Sequence, residues 1–280
     1  MLLDYFSQLP YPIIFCVPEP IFVMVTVVIP ARMASSRFPG KPLVPIIGLP
    51  MVEHVRRRAL MAAGVDQVAV ATCDAAIMQA VLAYGGNAVM TKPSHERCTD
   101  RVQEAMLQLP GEIVAMVNGD EPLLVPDSIT QVITPLLEHH ELDVVNLLSP
   151  LETEADYFNA NIVKAVCDQY GGVIYLTRAP IPFFRYRASV PVYRQTGIMA
   201  FRNSFLSRFS MLAETPLEKT ESIDMLRVLE HSIRICGVVA NYPTLGVDQP
   251  SDIALIEDVL GRDPLQRDLL KQTLTPVSVL

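Results

Sequence analysis

Short β-branched runs alternate with helix-patterned stretches along most of the chain, and this alternation restricts the fold more than any other feature. Val25 to Ile29 reads as a strand that leads into a polar loop. Met51 to Ala63 places Val52, Val55, Ala59 and Ala63 at helical spacing, carries the run Arg56-Arg57-Arg58, and meets a C-capping glycine at Gly64. Gln67 to Thr72, Asn87 to Met90 and Ile113 to Val117 follow as strands, separated by helices over Ala75 to Ala83 and Thr99 to Leu107. The rhythm is βαβα. It predicts an α/β fold with a mainly parallel sheet flanked by helices on both faces, and a ligand site beyond the carboxyl ends of the strands.

The middle of the chain has a different character. Ile162 to Val166 and Val173 to Thr177 flank Cys167-Asp168-Gln169-Tyr170-Gly171-Gly172, a hairpin signal, and run into Arg178-Ala179-Pro180-Ile181-Pro182. This segment reads as a β-rich insertion or lid. Later, Ser222 to Glu230 reads as helix, Ile233 to Val239 as strand and Ser251 to Leu260 as a final helix. Residues 24–261 are expected to form one domain, with 262–280 as a short polar helix or tail. Residues 1–23 are apolar but interrupted by Pro10, Pro12, Pro18 and Pro20, and lack the basic leader and unbroken apolar run of a signal peptide or membrane span. The expectation is either that Met24 is the natural initiator or that residues 1–23 are a loosely held N-terminal extension.

Composition excludes several classes of function. With 22 Lys and Arg against 30 Asp and Glu, the formal charge of −8 opposes sequence-independent binding to nucleic acid, which needs a basic surface. The five cysteines, Cys16, Cys73, Cys98, Cys167 and Cys236, are widely spaced without CxxC, so neither a disulfide framework nor a zinc ribbon is expected and a reducing cytoplasm fits. No HExxH is present, and His139-His140 reads as a solvated helix end.

The loop after the first strand, Pro30 to Leu43, carries Arg32, Arg37 and Lys41 without an acid. Backbone N–H groups in such a loop can wrap a polyphosphate while the cations neutralise charge that grows on departing phosphates. It is not a P-loop: Ser35 stands where GxxxxGK[ST] needs its first Gly, and Pro42 stands where it needs Ser or Thr. No GxGxxG follows a strand either, which removes support for a dinucleotide-binding enzyme. Two acidic turns complete the pattern, Asn118-Gly119-Asp120-Glu121-Pro122 at a strand end and Gly246-Val247-Asp248-Gln249-Pro250 before a helix. Two carboxylates from distant segments beside a triphosphate are what Mg²⁺ takes, its other ligands being water and phosphate oxygens. Each aspartate alone would read as a turn or cap.

Ile29 to Leu43, Gly119-Asp120-Glu121-Pro122, Thr177 to Pro182 and Gly246 to Pro250 resemble, in the same order, the CMP-Kdo synthetases, or 3-deoxy-manno-octulosonate cytidylyltransferases. The likeness runs from about Val25 to Leu260. It implies a Rossmann-like nucleotidyltransferase fold, CTP and an acidic small-molecule acceptor as substrates, Mg²⁺ as cofactor, pyrophosphate as leaving group and a homodimer. By motif position it implies that Ala31, Arg32, Arg37, Lys41, Lys92 and Thr99 bind the nucleotide, with Arg32, Lys41 and Asp120 catalytic and Asp120 and Asp248 holding the metal. Asn118, Arg178, Gln195, Phe201 and Asp224 fall at acceptor positions.

Departures from the family pattern gather on the acceptor side. Asn118 stands for Gln, Arg97-Cys98 for Ser-Gly, Gln195 for His, Phe201 for Tyr and Asp224 for Glu. Shortened or lost hydrogen-bonding groups discriminate strongly between hydroxylated substrates. The expectation is therefore an acceptor that is Kdo, a modified Kdo, another ulosonic acid or a smaller anion such as a phosphonate, with a CTP-binding non-catalytic homologue as the alternative.

Overall fold

The computed structural model describes residues 23–34, 37–151, 153–186 and 190–275. The reading of residues 1–22 as an extension lies outside the described residues.

In chain order the elements are β1 (Val25–Ala31), a 3-10 turn (Lys41–Leu43), β2 (Pro45–Ile46), β3 (Leu49–Pro50), α1 (Met51–Ala59), β4 (Gln67–Thr72), α2 (Ala75–Ala83), β5 (Asn87–Met90), α3 (Cys98–Met106), β6 (Ile113–Val117), α4 (Asp127–Glu138) and β7 (Val144–Pro150). There follow α5 (Glu154–Phe158), β8 (Lys164–Cys167), β9 (Val173–Thr177), β10 (Tyr193–Arg202), α6 (Asn203–Phe209), α7 (Pro216–Glu221), α8 (Met225–Glu230), β11 (Ile235–Val239), α9 (Asp252–Arg262) and α10 (Pro264–Leu274).

The main path of the sheet runs β11-β7-β10-β6-β1-β4-β5, with β8 and β9 branching from β10. β5, β4, β1 and β6 pair in parallel, and β10 runs antiparallel between β6 and β7. Every residue of β1 is buried, as a strand covered by helices on both faces requires. From β1 the chain crosses to β4 on one side and reaches β6 on the other, so β1 and β6 flank the point where strand order reverses. Loops leaving their carboxyl ends part there and leave a crevice.

The expected α/β architecture is present, and the insertion at β8 and β9 is the antiparallel hairpin. The helix read over Met51 to Ala63 ends at Ala59, because Leu60 and Met61 close into turns on Arg56 and Arg58. All nine of its residues are buried, including the arginine run. Arg56 and Arg57 pair with Glu53, whereas Arg58 donates to Leu124 O at 3.0 Å and Gln266 Oε1 at 2.7 Å. Gln266 belongs to α10, the segment read as a short polar helix or tail, and donates to Leu123 O at 2.9 Å. α10 thus braces the chain just beyond Asp120.

Candidate active site

The loop after β1 is shaped by its backbone. Gly40 sits at φ 76°, a left-handed conformation open to glycine, and donates to Met33 O at 3.0 Å, closing the loop before Lys41 starts the 3-10 turn. Lys41 Nζ then reaches Asp120 Oδ2 at 2.6 Å and Val247 O at 2.8 Å, tying the loop to both acidic turns. The turns are joined directly as well, by Val247 N to Asp120 O at 2.8 Å. Arg37 pairs with Asp248 at 2.9 Å in a more open position. Arg32 is exposed and has no side-chain bond among the described residues.

Three cavities meet on this edge. One of about 270 Å³ is lined by Ala31, Arg32, Arg37, Lys41, Cys98 and Asp120. A second of about 710 Å³ holds Asp120, Glu121, Asp248 and Asp252 beside Asn159, Asn161 and Arg194. A third of about 350 Å³ is walled by Arg97, Arg178, Gln195, Gly197, Met199 and Asp224. Asn118 borders all three. Its Oδ1 is buried and unpartnered among the described residues, a hydrogen-bond acceptor left open at the junction.

β10 bends at this junction. Its register with β7 shifts between Gln195 and Met199, and Gly197 N donates to Glu121 Oε1 at 3.1 Å while Gly197 O accepts from Asn118 N at 3.1 Å. Glu121 is buried; that burial, and then the charge of Asp120, push its carboxyl up to about 7.

Of the residues expected at the site, Ala31, Arg32, Arg37, Lys41, Asp120 and Asp248 converge, as do Asn118, Arg178, Gln195 and Asp224 around the third cavity. Three assignments need correction. Phe201 is completely buried and stacks on Phe205, paired with Val114 in the sheet, so it packs the core and cannot meet an acceptor. Thr99 is also buried, and its hydroxyl donates to Asp224 Oδ2, which places it behind the acceptor cavity. Lys92 stands exposed outside the three cavities, its backbone amide on Glu104; Arg97 and Cys98 form the wall in its stead.

Sequence reasoning did not assign Glu121, Arg194 or Lys164. Glu121 and Arg194 lie one residue from motif positions that it did assign, which was the available signal. Arg97 bonds Ser222 Oγ at 2.8 Å. Cys98 opens onto the cleft, but surrounding protein, Asp224 and Asp120 push its thiol up to about 12, so it is no activated nucleophile.

Among the described residues no group of three or more His, Cys, Asp or Glu could hold a metal. Asp120 and Asp248 form an all-oxygen pair on one cavity, a donor set that suits Mg²⁺ completed by phosphate and water and does not suit zinc.

A parallel sheet with a cationic loop and paired carboxylates at its switch point defines a nucleotidyltransferase-type enzyme. The cytidylyltransferase family model matches residues 26–235, and the chain belongs to that family. It is 39% identical over 249 residues, 85% of this chain and 98% of the relative, to the 3-deoxy-manno-octulosonate cytidylyltransferase of Geobacter metallireducens. It is 42% identical to the 8-amino-3,8-dideoxy-manno-octulosonate cytidylyltransferase of Shewanella woodyi, over 85% of this chain and 99% of that one. The solved structure of a CMP:2-keto-3-deoxy-manno-octonic acid synthetase complexed with CTP superposes with a TM-score of 0.81 at 35% identity, covering 86% of this chain and 99% of that one. Among the described residues no helix is long and apolar enough to cross a membrane.

Proposed function

We propose that this protein transfers CMP from CTP to 3-deoxy-manno-octulosonate or its 8-amino-3,8-dideoxy form, with Mg²⁺ as cofactor and pyrophosphate as the second product. The observation that carries the reading is the convergence of Arg32, Arg37 and Lys41 with Asp120 and Asp248 at the carboxyl ends of β1 and β6. The acceptor cavity shares Asn118 with the phosphate cavity, so a hydroxyl held there is directed at the α-phosphorus. That hydroxyl oxygen bonds to phosphorus as the bond to the pyrophosphate oxygen breaks. Arg32, Arg37 and Lys41 bear the charge gathering on the departing oxygens. Asp120 and Asp248 would hold Mg²⁺, which supplies charge neutralisation for phosphate oxygens when bound.

With Phe201 in the core, exchange of a tyrosine hydroxyl there no longer argues for an unusual acceptor. The same reading makes the protein a cytoplasmic homodimer. Exposed Phe158, Phe183 and Tyr186 around the insertion supply apolar surface for self-association, to be checked by light scattering.

The test is pyrophosphate release from CTP and Mg²⁺ with both octulosonates, sialic acid and small phosphonates. Release with an octulosonate and isolation of its CMP conjugate is expected. CTP binding without release from any acceptor would refute the assignment in favour of a non-catalytic homologue.

A further inference from the structure

Four consecutive backbone carbonyls, those of Asn159 to Ile162, are each taken by a cationic side chain. Lys164 Nζ donates to Asn159 O at 2.5 Å and Ile162 O at 3.0 Å. Arg178 Nη1 donates to Ala160 O at 3.1 Å and Asn161 O at 3.4 Å. The third Lys164 N–H goes to Arg178 O at 3.1 Å, so the two cations and the loop form one unit across β8 and the end of β9. Arg178 is anchored in turn from α7, by Nε to Glu221 O at 2.8 Å and by its own amide to Glu221 Oε2 at 2.9 Å.

Lys164 is completely buried, with its donors spent on three carbonyls and no carboxylate paired to it among the described residues. A buried charge of this kind adds little to stability compared with an apolar side chain of its volume. Its contribution is geometric: a compact cation draws carbonyls from two segments to one point. The loop it gathers separates two cavities, with Asn159 and Asn161 facing the Asp120 and Asp248 side. On the other side Val163 faces the acceptor cavity beside Gln195, whose backbone N–H donates to Val163 O at 2.9 Å.

We propose that Lys164 is a positioning residue, which with Arg178 clamps loop 159–162 as the wall that aligns the acceptor. The inference rests on the acceptor placement proposed above. It also gives Arg178 a second role: its side chain borders the cavity while Nε and Nη1 hold backbone.

Lys164→Met keeps most of the length of the unbranched stem and removes the donors. Hydrogen exchange of amides 159–163 should accelerate about 10-fold or more, with residues 31–43 unchanged. KM for the octulosonate should rise about 10- to 100-fold as the wall loses its alignment, with kcat within about threefold and CTP affinity unchanged. Unchanged exchange would overturn the clamp, and faster exchange with unchanged acceptor KM would overturn the positioning role. If the variant does not fold, Lys164→Gln replaces it, because a shorter amide with two N–H groups cannot reach all three carbonyls; faster exchange of amides 159–163 with raised acceptor KM is expected, and unchanged exchange or unchanged KM refutes the proposal. Failure of the functional reading shows separately, in the wild type, as absent pyrophosphate release with both octulosonates. The positioning role then falls with it, while exchange alone still decides the clamp.

Discussion

A methyl group at position 197 should wedge apart the junction of the three cavities. A Cβ built on Gly197 would lie 2.3 Å from Asn118 Nδ2, 2.6 Å from its Cγ and 2.8 Å from its Cβ. None of these separations is tolerable, and one involves the base of the side chain, which rotation cannot move. Gly197 is also pinned, because its N–H and C=O are bonded to Glu121 and Asn118. Strain of this sort costs about 1–3 kcal/mol, or roughly 2–12 °C in Tm for a chain of this size. Since Asn118 Oδ1 has no partner among the described residues, no hydrogen bond of that atom holds the amide against swinging into the cavities, and the acceptor KM of Gly197→Ala should rise. The rescue should be graded. Asn118→Ala removes the two closest contacts and leaves the third; Asn118→Gly removes all three. Urea denaturation of the single and double variants should therefore give a favourable coupling of at least about 1 kcal/mol with glycine and less with alanine. Wild-type stability in Gly197→Ala, or additive effects in the cycle, would refute the close approach of β10 to Asn118.

Asp120→Asn and Asp248→Asn should each weaken Mg²⁺ binding by calorimetry and lower turnover roughly 100- to 10,000-fold; near-normal rates would remove them as ligands. His54 donates from Nε2 to Ile46 O at 2.8 Å while its buried Nδ1 has no partner among the described residues, so a second proton has no acceptor there. Burial, and then Arg58 and Arg57, lower its pKa from 6.5 to about 4. The native state thus binds fewer protons than the unfolded chain between those values, and stability present above pH 6.5 is lost as pH falls towards 4. Urea titrations should show a loss of about 2 kcal/mol from pH 7 to 5 that His54→Gln abolishes; an unchanged slope would count against this origin. Gln266→Leu takes an acceptor from Arg58, whose Nε and Nη2 already lack partners among the described residues, and should cost about 1–3 kcal/mol in thermal or urea unfolding.

The order of the main strands and helices from β1 to β6, and the edge that carries the site, were legible because hydrophobic period and turn chemistry are local, whereas β7 and the antiparallel β10 between it and β6 were not read. Gln67–Thr72, Ala75–Ala83, Asn87–Met90 and Ile113–Val117 match the structure residue for residue. The cationic loop was legible for the same reason, since Arg32, Arg37 and Lys41 crowd into one short segment free of acids. Which side chains face the ligand was not. Phe201 and Gln195 belong to one strand, yet one is core and the other lines cavities, because a register shift between Gln195 and Met199 re-aims the chain.

Thr99, Arg178 and Lys164 show the same limit from another direction. Each carries a polar group that could meet a substrate, and each is claimed wholly or partly by a protein partner: Asp224 lies 125 residues from Thr99, and Arg178 binds Glu221. By itself the sequence determined the fold class and the chemical inventory of the phosphate loop, through composition and period acting over a few residues. Tertiary structure decided the pairing of Lys41 with Asp120 and Arg37 with Asp248, and the sorting of acceptor residues into wall, clamp and core. Those outcomes depend on long-range strand register and on which buried polar group satisfies which, quantities that no local pattern encodes.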